Sequence, residues 1–82
     1  MDFQIYPNPT SGTFYLDIEN LDRDILFEVV DLRGQVHYEK LIKNRRGSYL
    51  KKVDVNCLPP GTYFVRIHSE EHFFATKLIV EN

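Results

Sequence analysis

Thr62-Tyr63-Phe64-Val65-Arg66-Ile67-His68, then Ser69-Glu70-Glu71-His72, then Phe73-Phe74-Ala75-Thr76-Lys77-Leu78-Ile79-Val80 carries the strongest structural signal in the chain. Aromatic and β-branched residues dominate both apolar runs. Tyr63, Val65 and Ile67 alternate with Phe64, Arg66 and His68, the period of two of a pleated strand. Four polar residues then give a tight connection, so the two runs read as a β-hairpin. Phe73 and Phe74 are adjacent and must face opposite sides of their strand, which leaves one as a candidate contact unless a neighbouring loop covers it.

The same pattern continues upstream. Leu58-Pro59-Pro60-Gly61 predicts a type II turn, with Pro60 presetting φ and Gly61 supplying a positive one. Before it, a strand over Tyr49 to Val55 carries Lys51 and Lys52, the charges of an exposed sheet edge. Lys43 to Gly47 is a polar, basic loop. Ile25 to Val30 is apolar on both sides, with Ile25, Phe27 and Val29 on one face and Leu26 and Val30 on the other, as a central strand requires. Asp31-Leu32-Arg33-Gly34 then reverses the chain in a type I turn with a glycine bulge, and Val36 to Ile42 returns. Phe14, Leu16 and Ile18 alternate with Tyr15, Asp17 and Glu19 in a half-buried strand, and Asn20 to Asp24 reads as a polar link. Phe3 to Tyr6 ends at Pro7-Asn8-Pro9, whose fixed φ angles and missing donors impose an extended, non-helical path. A turn at Ser11-Gly12 follows. Helix is expected only as a single turn near Val55 to Leu58. Seven or so short strands at this spacing predict an all-β, immunoglobulin-like antiparallel sandwich, with a barrel as the alternative.

Composition agrees and narrows the function. An 82-residue chain with 43% hydrophobic and 13% aromatic residues supports one domain and one core. A net charge of −2 offers no overall field for nucleic acid or anionic lipid. No apolar run reaches the ~20 residues of a membrane-spanning helix, and the opening Met1-Asp2-Phe3 lacks the pattern of a signal peptide. Cys57 is the only cysteine, so it has no internal disulfide partner; it reads as a small packing residue.

Catalytic and metal chemistry find little support. His37, His68 and His72 do not have the spacing of a convergent ligand set, and no loop carries the dense oxygen donors of a calcium site. No base accompanies Cys57. Lys43-Asn44-Arg45-Arg46, with Lys51 and Lys52, is a basic stretch that reads as a solvated surface before it reads as a phosphate site. No enzyme, cofactor or metal is expected.

Four pieces in order, Tyr6-Pro7-Asn8-Pro9-Thr10-Ser11-Gly12, Asp31-Leu32-Arg33-Gly34, Leu58-Pro59-Pro60-Gly61-Thr62-Tyr63 and Lys77-Leu78-Ile79-Val80, cover nearly the whole chain. Together they resemble the type A C-terminal sorting domain of the type IX secretion system. The resemblance implies a domain excised from a larger secreted protein, where it follows an N-terminal cargo. It also implies passage through the periplasm, recognition by an outer-membrane receptor and translocon, and delivery to the cell surface or medium. Removal by a sorting peptidase and attachment of the cargo to lipopolysaccharide complete the implied sequence. Pro7, Asn8, Pro9, Gly12, Asp31, Gly34, Pro60, Gly61 and Tyr63 are then expected to define shape, and Lys77, Leu78, Ile79 and Val80 to be recognised. As the terminal strand, this last segment is expected at a free sheet edge that a receptor extends by strand addition. The rival reading is a generic immunoglobulin-like module that binds carbohydrate or protein on a secreted enzyme.

Overall fold

The computed structural model describes residues 2–43 and 47–81. Asn44, Arg45 and Arg46 of the basic stretch lie outside them. Seven strands run in order: β1 (Asp2–Tyr6), β2 (Thr13–Leu21), β3 (Ile25–Asp31), β4 (Val36–Ile42), β5 (Gly47–Asp54), β6 (Gly61–His68) and β7 (Phe73–Val80). They form two antiparallel sheets, one ordered β1-β2-β5 and the other β4-β3-β6-β7. This is the three-plus-four arrangement of an immunoglobulin-like sandwich.

Period-two burial explains the two layers. Phe14, Leu16 and Ile18 of β2 meet Ile25, Phe27 and Val29 of β3 and Tyr63, Val65 and Ile67 of β6 in one core. Both β2 and β3 are central in their sheets, as the two-sided apolar pattern of β3 requires. Lys51 and Lys52 lie on β5, an edge strand.

Three local expectations are corrected. Asn20 to Asp24 is not simply a link: β2 continues to Leu21, which is fully buried, through a bulge where Asn20 has φ 57°. A short amide side chain tolerates that left-handed backbone better than most residues, which is how the strand keeps its register past two exposed positions. Val55 to Leu58 is not helical; it is a hydrogen-bonded turn in which Leu58 N donates to Val55 O at 3.0 Å. The type II turn at Leu58 to Gly61 does not form either, because Gly61 has φ 157° where that turn needs about +80°, and it opens β6 instead. The substitution Gly61→Val is still expected to cost about 1–3 kcal/mol, since this backbone region is nearly glycine-only. A Cβ there would meet open space, so the cost is one of backbone conformation alone. Thermal melting checks it, and an unchanged melting temperature would contradict it.

Candidate recognition surface

β7 ends its sheet, with β6 along one side. Its other side is open only in part. The Asn8 side chain donates from Nδ2 to Lys77 O at 2.7 Å and accepts at Oδ1 from Ile79 N at 3.0 Å. A side-chain amide carries the same donor and acceptor as a peptide group, so Asn8 acts as one rung of a ladder. Thr10 continues it: its N donates to Ile79 O at 2.8 Å and its carbonyl accepts from Glu81 N at 2.8 Å, a parallel bridge to Val80. The free edge expected at Lys77 to Val80 is therefore closed. The cause is the non-helical path of Pro7-Asn8-Pro9, which carries the chain from β1 in one sheet to the edge of the other.

The four terminal residues divide by face. Leu78 and Val80 are core residues, 0% and 2% exposed, whereas Lys77 is exposed and Ile79 half-buried on the outer face. Thr10, fully buried, was not singled out from the sequence although it anchors residues 8–12, a strap laid along the β7 edge. Its hydroxyl donates to Thr13 O at 2.5 Å and accepts from Gly12 N at 3.2 Å. Gly12 O in turn accepts from Val55 N at 2.8 Å, so residues 8–12 tie β7, β2 and the end of β5 together. The available signal was a Thr two residues before a Gly, where the short side chain can bond to nearby backbone.

The middle turn forms as read. Asp31 Oδ1 accepts from Arg33 N at 2.8 Å and Gln35 N at 3.0 Å, Gly34 N donates to Asp31 O at 3.0 Å, and Gly34 has φ 87°. The register shift after Val29 is the bulge that such a turn produces. His37 Nε2 lies 2.9 Å from Asp31 Oδ2. The His37 imidazole, joined by the Gln35 and Arg33 amides, holds the Asp31 carboxyl below the usual carboxylate range against an opposing push from burial. A depressed folded-state pKa stabilises the fold above the unfolded value near 3.9, and that stabilisation is lost as pH falls through the folded value. Asp31→Asn is accordingly expected to lower the melting temperature at neutral pH, with the gap closing as pH falls from the unfolded carboxylate value through the lower folded one. A gap that is constant with pH would show that the charge contributes nothing.

Tyr63, the third residue of β6, donates its hydroxyl to Pro59 O at 2.5 Å. This is the tyrosine corner of immunoglobulin-like sandwiches, in which the phenol bonds backbone a few residues upstream. Burial pushes the Tyr63 phenol pKa up, and the nearby Asp31 charge adds to it. Pro60 is exposed beside this corner.

Sequence reading missed a charged cluster on the outer face of the four-stranded sheet. Glu28 is only 6% exposed; its Oε1 lies 3.0 Å from an Arg66 guanidinium nitrogen and 2.6 Å from His68 Nε2. The signal was a lone acid in an apolar strand, but its partners are fixed only by the β3–β6 register, which sets Glu28 opposite Arg66. His37 and His72 sit elsewhere, against Asp31 and Phe74. Among the described residues no three metal-ligating side chains converge. Cys57 is exposed, contrary to its reading as a packing residue, because its turn faces solvent. Phe73 is 57% exposed while Phe74 packs on Phe3 at 5.7 Å between ring centroids.

The strap, the Asp31 turn and the tyrosine corner stand where the four resembling segments of the sequence lie. No curated protein matches the chain significantly. A family model described as secretion system C-terminal sorting domain matches residues 4–81. That span takes in all seven strands except the first two residues of β1, and the chain belongs to the secretion system C-terminal sorting domain family.

Proposed function

We propose that this domain is a non-catalytic sorting signal that directs an N-terminal cargo from the periplasm across the outer membrane through the type IX secretion system. The family match over residues 4–81 carries the reading. A receptor and translocon of the outer membrane recognise the folded domain, a sorting peptidase removes it, and the cargo reaches the surface or the medium, with lipopolysaccharide attachment as one fate. Lys77 and Ile79 present the recognised face of β7; Leu78 and Val80 hold that strand in the core. The rival carbohydrate-binding reading is weaker, because the exposed Tyr6 stacks on Tyr15 at 5.7 Å and does not stand free as a platform.

Burial of Leu78 and Val80 makes tail deletion an unsuitable test, since it would unfold the sandwich. Lys77→Glu changes only an exposed side chain. In a bacterium with this secretion system, a reporter fused to the intact domain should reach the surface or medium. The Lys77→Glu fusion should be exported about tenfold less while the purified domain still melts cooperatively. Equal export of the two fusions would contradict the role of Lys77, and periplasmic retention of the intact fusion would contradict the function.

A further inference from the structure

The outer edge of β7 has a second half that the strap leaves uncovered. In an antiparallel ladder alternate residues direct both backbone groups to the same side. Lys77 and Ile79 point away from β6, and so therefore do Phe73 and Ala75. Their N–H and C=O groups, and the N–H of Lys77, have no backbone partner among the described residues. Two of the other edge strands carry paired charges, Glu39 and Lys40 on β4 and Lys51 and Lys52 on β5, and β1 is only five residues long and opens on Asp2. Phe73-Phe74-Ala75-Thr76 has no charge and no proline, and its pairing register with β6 is unbroken. An open, flat, uncharged edge with a phenylalanine 57% exposed is the kind that proteins ordinarily suppress.

We propose that Phe73 to Lys77 is a docking edge to which a partner protein adds an extended strand, an inference that rests on the sorting function above. The strap sets its limit, because the added strand must stop where Asn8 begins. The neighbouring face selects its chemistry. Lys77 lies opposite Phe64, whereas Arg66, opposite Ala75, is already paired with Glu28, so on this outer face Lys77 supplies the positive charge and Phe73 and Phe64 the apolar surface. It fits a strand with an acidic residue beside Lys77 and an apolar one beside Phe73. A second copy of this chain is a poor occupant, since its own Phe73 to Lys77 edge holds no acidic residue to set beside Lys77.

Reporter fusions in a bacterium with the secretion system test this. Ala75→Pro removes an outward N–H that the fold does not use, Ala75→Lys adds a guarding charge, and Ala75→Ser keeps the donor. The expected result is export reduced at least tenfold by Ala75→Pro and by Ala75→Lys, normal export with Ala75→Ser, and cooperative melting of all three purified domains. If Ala75→Pro does not fold, Ala75→Lys decides. Normal export of folded Ala75→Lys would overturn the docking edge while leaving the sorting function intact; failure of the unsubstituted fusion to export would overturn both. Sedimentation of the domain at micromolar concentration should show monomers, and a dimer dissociated by Ala75→Lys would assign the edge to self-association instead.

Discussion

Phe27→Ala is expected to destabilise the domain by about 3–5 kcal/mol, the range for removing a buried aromatic side chain from a packed core. Phe27 lies on the central strand β3 with no solvent exposure. Its ring meets Phe14 edge-on at 6.5 Å and Tyr38 at 5.5 Å, so it connects the two sheets and also supports the ring of edge strand β4. Residues from both sheets fix the surrounding backbone in hydrogen-bonded ladders, which limits collapse around the void. An 82-residue domain has a total stability of roughly 4–12 kcal/mol, so the variant should lose about a quarter of it or more. Urea titration followed by circular dichroism measures the loss. A midpoint shift equivalent to less than about 1 kcal/mol would mean that Phe27 is not the link between sheets described above.

Gly12→Val should cost on the order of 3 kcal/mol, from two sources that act together. Gly12 has φ 157°, in a region that disfavours a β-branched residue by about 1–3 kcal/mol. A Cβ built there would also overlap Asn56 Oδ1. Asn56 is not free to swing away at no cost, because its Nδ2 and its backbone N both donate to Asp54 Oδ1 at 2.9 Å. Crowding of this kind adds about 1–3 kcal/mol. The two components separate by experiment: the double substitution Gly12→Val with Asn56→Gly should recover the crowding part and leave the backbone part. A melting temperature unchanged by Gly12→Val, or a double variant no more stable than the single one, would contradict this account.

Strand count and core were legible because burial on a sandwich follows a period of two, and Phe14, Phe27, Val65 and Leu78 advertise it residue by residue. The Asp31-Leu32-Arg33-Gly34 turn was legible because its chemistry is local: a carboxylate accepts from two amides within four residues. Long-range pairing was not. Nothing near Asn8 in the sequence says that its amide will bond residues 69 and 71 positions away, so the strap that closes the Lys77 to Val80 edge emerged only from the fold. Glu28, Arg66 and His68 were hidden for the same reason, their contact being a product of register between β3 and β6. Leu58-Pro59-Pro60-Gly61 misled because a Pro-Gly pair favours a type II turn in isolation, whereas here Tyr63 bonds Pro59 O and draws Gly61 into the strand.

Dependence on the translocon separates a sorting signal from a passive terminal domain. The same reporter fused to the intact domain is produced in two bacterial strains, one with a working type IX secretion system and one lacking its outer-membrane translocon, and reporter activity is measured in periplasm, surface and medium. A sorting signal predicts reporter at the surface or in the medium of the first strain and in the periplasm of the second. The same distribution of reporter in both strains would contradict it.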